Sequence, residues 1–245
     1  MGGFVSRRTV EDDTVIKQPK TSTTSPRKQD EKLHEVDVTL DVDTAHPNLL
    51  IDGKTVSWIK ETPQRLCSEK MFDEDPYVQG IMGRAWRAYW KVNVEKKDDW
   101  VLGVTRATAN RKGQLVLIPA NGFWVIGISD GKDFTAFMDD DDDDDDDDDV
   151  HKERIPHRVG IYVDYQEGKV TFYNAEDNSL IYSFTKGPSY EDEVRPLFSP
   201  WNNDADPITI VSIETKQSKS SEALRITSTS INRLLCVGEL NLSSD

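Results

Sequence analysis

Cysteine is nearly absent: Cys67 and Cys236 are the only two in 245 residues, far apart and in unlike contexts. Two such residues make neither a disulfide framework nor a cysteine-rich zinc site, and a reducing, cytosolic setting is the simplest expectation. Long apolar runs are also missing. No stretch approaches the roughly 18 residues of a membrane-spanning helix. The opening, Met1-Gly2-Gly3-Phe4-Val5-Ser6-Arg7-Arg8, lacks the apolar segment of a secretory signal. No basic stripe stands out that would release counterions from phosphates, so nucleic acid is not an expected partner. Histidine is scarce, with only His34, His46, His151 and His157. Catalytic signatures are lacking: there is no Gly-x-Ser-x-Gly elbow, phosphate-cradling glycine loop or His-Glu-x-x-His. Cys67, in Arg65-Leu66-Cys67-Ser68, has no evident base to activate it. The expectation is a non-enzymatic chain with no cofactor, no catalytic residue and no metal.

What the chain does hold is acid, and it is concentrated. Forty-five acidic against 30 basic side chains give a formal charge of −15. Eleven of the acids form one unbroken run, Asp139 to Asp149; without it the balance is 34 to 30, or −4. Adjacent carboxylates repel and cannot bury their charge, so the run reads as an extended, hydrated, low-complexity insertion in a surface loop. A functional alternative is a weak cation sink or an electrostatic lure for a basic partner. A dedicated calcium site would need ligands spaced by a rigid turn, which a homopolymer lacks. His151 and His157 beside the run read as solvated loop residues rather than ligands. His46, before Pro47, reads as a turn residue bonded to backbone.

Residues 1–34 are polar, rich in Thr, Ser, Lys and Pro and without apolar periodicity, and read as a disordered arm. All six tryptophans, at 58, 86, 90, 100, 124 and 201, fall between Val36 and Ile213, which marks the folded core. Residues 214–245 form a Ser/Thr-rich tail carrying Leu224, Ile226, Ile231, Leu234 and Leu235. Within the core, strands are predicted at 89–94, 100–104, 115–118, 123–128, 159–165, 169–173, 181–184 and 208–213. Gln166-Glu167-Gly168 is expected to close a hairpin with glycine at a positive φ. A weak helical signal covers 62–69. Many short strands at about ten-residue spacing argue for a β-sandwich.

Val38-Thr39-Leu40-Asp41-Val42-Asp43-Thr44-Ala45-His46-Pro47 resembles the opening of a PRY segment. Tyr89-Trp90-Lys91-Val92-Asn93-Val94 with Trp100 and Leu102-Gly103-Val104, then Gly122 to Gly127, resemble successive SPRY motifs. So do Arg158 to Tyr165 with Val170 to Asn174, and Arg195-Pro196-Leu197-Phe198-Ser199-Pro200. The order over residues 36–213 is similar to the PRY-SPRY domain found in tripartite-motif proteins and butyrophilins. Lys91, Asn93, Gln166 and Val42 depart from the usual pattern at solvent-facing or turn positions. The resemblance implies an all-β fold, a bent antiparallel two-sheet β-sandwich of concanavalin-like jelly-roll type. PRY would span about 35–85 and SPRY about 86–213, with disordered N- and C-terminal tails. The segment ahead of the domain lacks zinc-binding Cys and His, so ligase activity is not expected here.

The resemblance also implies a recognition module, expected to be monomeric and cytoplasmic, that binds a protein partner through end loops. The expected contacts are Met82-Gly83-Arg84; Asn110, Arg111 and Lys112; Ser129 and Asp130; and Trp201, Asn202 and Asn203. Trp201 reads either as a binding hot spot or as packing beneath its loop. Innate immunity and ubiquitin-pathway targeting are the settings implied. The alternatives are a glycan-binding, lectin-like sandwich and a fragment of a longer tripartite-motif-like ligase. Met1-Gly2 with Ser6 fits the N-myristoylation pattern at Gly2. One acyl chain binds membranes marginally, so Arg7, Arg8, Lys17, Lys20, Arg27, Lys28 and Lys32 would have to assist, against Glu11, Asp12 and Asp13. A weak peripheral membrane association is the corresponding expectation.

Overall fold

A computed structural model describes residues 33–61, 68–139 and 156–213. Gly2, most of the arm, most of the 62–69 helix, both cysteines, the acidic run beyond Asp139, His151 and the 214–245 tail lie outside the described residues. The described residues hold thirteen strands and one short 3-10 turn, Pro119–Asn121.

Two antiparallel sheets form a sandwich. The first has the order β1 (Val38–Leu40), β4 (Val78–Met82), β12 (Val194–Ser199), β6 (Trp100–Arg106), β7 (Phe123–Ser129), β8 (Asp133–Ala136). The second runs β11 (Leu180–Phe184), β10 (Lys169–Asn174), β9 (Arg158–Asp164), β5 (Arg87–Asn93), β13 (Ile208–Ile210), β3 (Thr55–Trp58), β2 (Leu49–Asp52). Strands from 35–85 enter both sheets, so the N-terminal portion shares one core with the rest.

Successive side chains on a strand point to opposite faces. Trp100, Leu102 and Val104 of β6 and Trp124, Ile126 and Ile128 of β7 therefore face the second sheet, where they meet Trp90, Ile161 and Phe172. The intervening Val101, Phe123, Val125 and Leu197 face outward, yet they too are buried. Two irregular segments, 68–77 and 107–118, lie over this outer face and contribute Phe72, Tyr77, Ala109 and Leu117. Burial on both faces explains why β6 and β7 read as continuous apolar runs. Fully burying side chains of this size stabilises by about 1.5–3 kcal/mol each.

The structure corrects several expectations. Leu115–Ile118 is not a strand. Its carbonyls serve a local turn instead: Val116 accepts from Asn121 Nδ2, and Ile118 accepts from the Asn121 and Phe123 N–H groups. The β9–β10 loop has four residues rather than three, because Asp164 pairs directly with Lys169. Tyr165 leaves the ladder and donates its N–H to the Trp86 carbonyl. Gly168 sits at φ 59°, the left-handed geometry glycine adopts freely. The final strand stops at Ile210. Pro196 occupies a central strand, and the ladder from β12 to β4 has registered pairs only at Leu197 and Phe198. Its missing N–H therefore costs no registered pair on that side.

Candidate partner-binding surface

The segments covering the first sheet leave part of its outer face open near β8. Register explains the opening. Val101 pairs with Gly127, and Gly127 pairs with Thr135, so one lateral row crosses β6, β7 and β8 with all three residues outward. Gly127 has no side chain, and the row sinks at its centre. A Cβ there would stand 3.2 Å from the Trp100 carbonyl oxygen and 3.3 Å from the Phe137 ring. The resulting depression is about 160 Å³ and is walled by Phe137, Trp201, Ser129 and Asp99.

Loops at the same end of the sandwich build its rim. The Asp130 N–H donates to Asp99 Oδ1 at 2.6 Å, and the Gly131 N–H to the Asp98 carbonyl at 2.9 Å. These bonds tie the β7–β8 turn to the β5–β6 loop. Lys97, with no side-chain exposure, reaches into the loop after β12, where its ammonium meets Asp204 Oδ1 and Asn203 Oδ1 at 2.5 and 3.1 Å. Enclosing a lysine is costly unless it is paired and hydrogen-bonded, so these partners fix the 201–206 loop. Exposed acids outnumber exposed bases on these loops, with Asp98, Asp130, Asp133 and Asp206 against Lys96 and Lys132.

Trp201 stands at the edge of this depression. Its half-buried indole packs against the outer-face cluster and also walls the depression. Its backbone takes φ 54°, with its N–H bonded to Ser199 Oγ at 3.1 Å. Among the described residues, Asp130 and Asn178 are the other non-glycine residues with positive φ, and Asp and Asn tolerate that conformation. For tryptophan it costs about 1–2 kcal/mol. Strain of this kind is concentrated at functional sites.

The four expected loops do not form one groove. Ser129 and Asp130 join Trp201, Asn202 and Asn203 at one end, with Asn203 turned onto Lys97. Asn110, Arg111 and Lys112 act as staples within the outer covering. Asn110 Nδ2 donates to the Lys112 carbonyl, Arg111 Nη1 to the Ala107 carbonyl and Gln79 Oε1, and Lys112 Nζ to the Ser68 carbonyl. Arg84 lies at the opposite end, where Nη2 donates to the Tyr190 carbonyl at 2.7 Å. The cause is strand direction: β4 pairs Val78 with Phe198, so Met82 and Arg84 lie beside the start of β12 and Trp201 beyond its end. Sequence reasoning missed Val101, Gly127, Thr135 and Phe137, which only register brings together. It also missed Lys97, whose run Lys96-Lys97-Asp98-Asp99 looks like a solvated turn.

His46 is bonded to backbone, as expected of a turn residue, and it is also buried. Its Nδ1 accepts from the Asn48 N–H at 3.1 Å, and its ring stacks on Trp58 with centroids 5.8 Å apart. Burial lowers its pKa below the ordinary 6.5, against the raising influence of Asp73 and Asp75. His157 faces Glu176, with Nδ1 3.5 Å from Oε1. Among the described residues, no group of three His, Cys, Asp or Glu is arranged to hold a metal ion.

Comparison with known proteins adds relatives to this geometry. A family profile described as "SPRY domain" matches residues 87–209. Butyrophilin subfamily 1 member A1 of Bos taurus is 37% identical over 182 residues, covering 73% of this chain and 33% of the relative. Probable E3 ubiquitin-protein ligase TRIML1 of Mus musculus is 35% identical over 184 residues, covering 72% and 38%. The chain thus spans about a third of the length of these relatives. The crystal structure of the TRIM65 PSpry domain superposes with a TM-score of 0.57 at 17% identity, over 80% of this chain and 100% of that one. The stonustoxin structure gives 0.55 at 16%, over 73% and 29%. At these identities, the two structures share the fold.

Proposed function

This chain belongs to the SPRY domain family, and we propose that it is a non-catalytic recognition module that binds a protein partner at the depression beside Trp201. The single observation that carries this reading is the Val101–Gly127–Thr135 row, a preformed apolar floor beside a strained, half-buried tryptophan. An apolar or aromatic side chain of the partner fills the depression. The surrounding Asp98, Asp130, Asp133 and Asp206 favour a partner with basic residues around that anchor. The module selects a partner and leaves any chemistry to other domains or proteins. Target selection in a ubiquitin pathway is the setting that the name of one relative supports.

Affinity capture with the full chain, read by quantitative mass spectrometry, tests the reading. Trp201→Gly and Val101→Asp should each lower capture of the same protein at least about tenfold, the loss expected at a central anchor. Unchanged capture by both variants sinks it. A glycan array is the complementary control: calcium-dependent glycan binding that survives both substitutions would replace this reading with a lectin-like one.

A further inference from the structure

Trp86 is the one tryptophan left largely in solvent, 53% exposed, at the end of the sandwich opposite Trp201. It is not loose. Its ring stacks on Tyr190 with centroids 3.5 Å apart and planes 12° apart. Tyr165 meets Tyr190 edge-on at 5.5 Å, and the Arg84 guanidinium lies 4.6 Å from the Tyr190 ring centre. Three loops are thereby locked into one platform. Asp192, bonded to Arg106 and to Ser189, holds the third of them in place. Burial of the Tyr165 hydroxyl pushes its pKa up to about 12, so it stays neutral. Exposed Ile81 borders a second depression of about 160 Å³ beside the platform. Glu191 and Glu193 are exposed next to it.

The path of the chain brings a candidate occupant to this place. The Tyr89 N–H donates to the His34 carbonyl, the Val36 N–H donates to the Tyr89 carbonyl, and Glu35 bridges Tyr89 in parallel. Traced backwards, the chain therefore runs beside β5 toward its start, leaving Leu33, 78% exposed, about level with Arg87. The described chain thus starts near Trp86. Ahead of it in the sequence, Lys17–Lys28 carries four cations, two prolines and no acid. Four residues separate Lys28 from Leu33, five backbone steps that reach about 17 Å. Proline faces and cations both suit aromatic platforms, and the cations complement exposed Glu191, whereas Glu193 is paired with Arg195 at 3.2 Å.

We infer that Lys17–Lys28 of the chain's own arm docks on the Trp86–Tyr190 platform, with Pro19 or Pro26 against the rings and the cations toward Glu191. The short tether keeps the local concentration of the segment high without extra contacts. The surface is separate from the one beside Trp201, so failure of either idea leaves the other standing.

Two measurements on the full chain test this. A photo-crosslinking phenylalanine analogue at position 86 should join to the peptide spanning Lys17 to Lys28 of the same chain. A mixture of isotopically light and heavy chains distinguishes this from joining between copies. Joining only between copies, joining elsewhere, or no product would overturn the inference. Trypsin should cut after Lys17, Lys20, Arg27 and Lys28 about tenfold faster in Trp86→Ala and in Tyr190→Ala than in the wild type. Thermal unfolding serves as the folding control. Equal cutting rates in folded variants would also overturn it.

Discussion

Trp201 is a residue whose backbone and side chain pull in opposite directions. Glycine at 201 would relieve the left-handed φ of 54° but remove the indole from the outer-face cluster. Trp201→Gly should therefore unfold closer to the wild-type temperature than Trp201→Ala, by about 1 kcal/mol, while both lose partner binding. Differential scanning fluorimetry checks the first half. His46 gives a second residue-scale prediction. A histidine whose pKa is lowered on folding contributes stability that is present above 6.5 and lost as pH falls below it. The unfolding free energy should drop as pH falls below about 6.5, and His46→Gln should flatten that slope. Asp75, raised by burial, acts in the opposite sense nearer the carboxylate range. A slope unchanged by the substitution would assign the effect to other groups.

Among elements, the 201–206 loop depends on one ion pair with unequal partners. Lys97 has no side-chain exposure, whereas Asp204 keeps 35%. Lys97→Met leaves an acid that water can still reach, but Asp204→Ala leaves an enclosed cation with only Asn203 as a polar partner. Asp204→Ala should cost about 3 kcal/mol and clearly more than Lys97→Met, as denaturant titration would show. Much of the element layout was legible in the sequence. β5, β6, β7, β9, β10 and β11 announce themselves as apolar or alternating runs between turn residues. Leu115–Ile118 looked the same locally but serves as a lid on the outer face, a tertiary role that periodicity does not encode. β12 was hidden by Pro196, and β8, a four-residue edge strand, is too short to signal itself. The family resemblance, rather than residue pattern, covered the PRY strands.

For the whole molecule, the fold was readable because the same alternation must satisfy both sheets and the resemblance runs in order along the core. The candidate site was readable only in its loops. Its floor comes from three strands aligned by register, and strand direction separates Arg84 from Trp201, neither of which is visible along the chain. Charge also belongs to this scale. The run from Asp139 follows β8, so replacing Asp140–Asp149 with a short Gly-Ser linker should shift the Tm by less than about 3 °C. The acidic rim should make partner capture weaken as salt is raised. The most direct test of partner binding at the Val101–Gly127–Thr135 depression is site-specific photo-crosslinking. With the crosslinker at Ser129, a protein captured by the wild-type chain should crosslink, and the product should disappear when Val101→Asp is added. The same protein crosslinking equally at Leu180, on the far edge strand, and persisting with Val101→Asp, would contradict it.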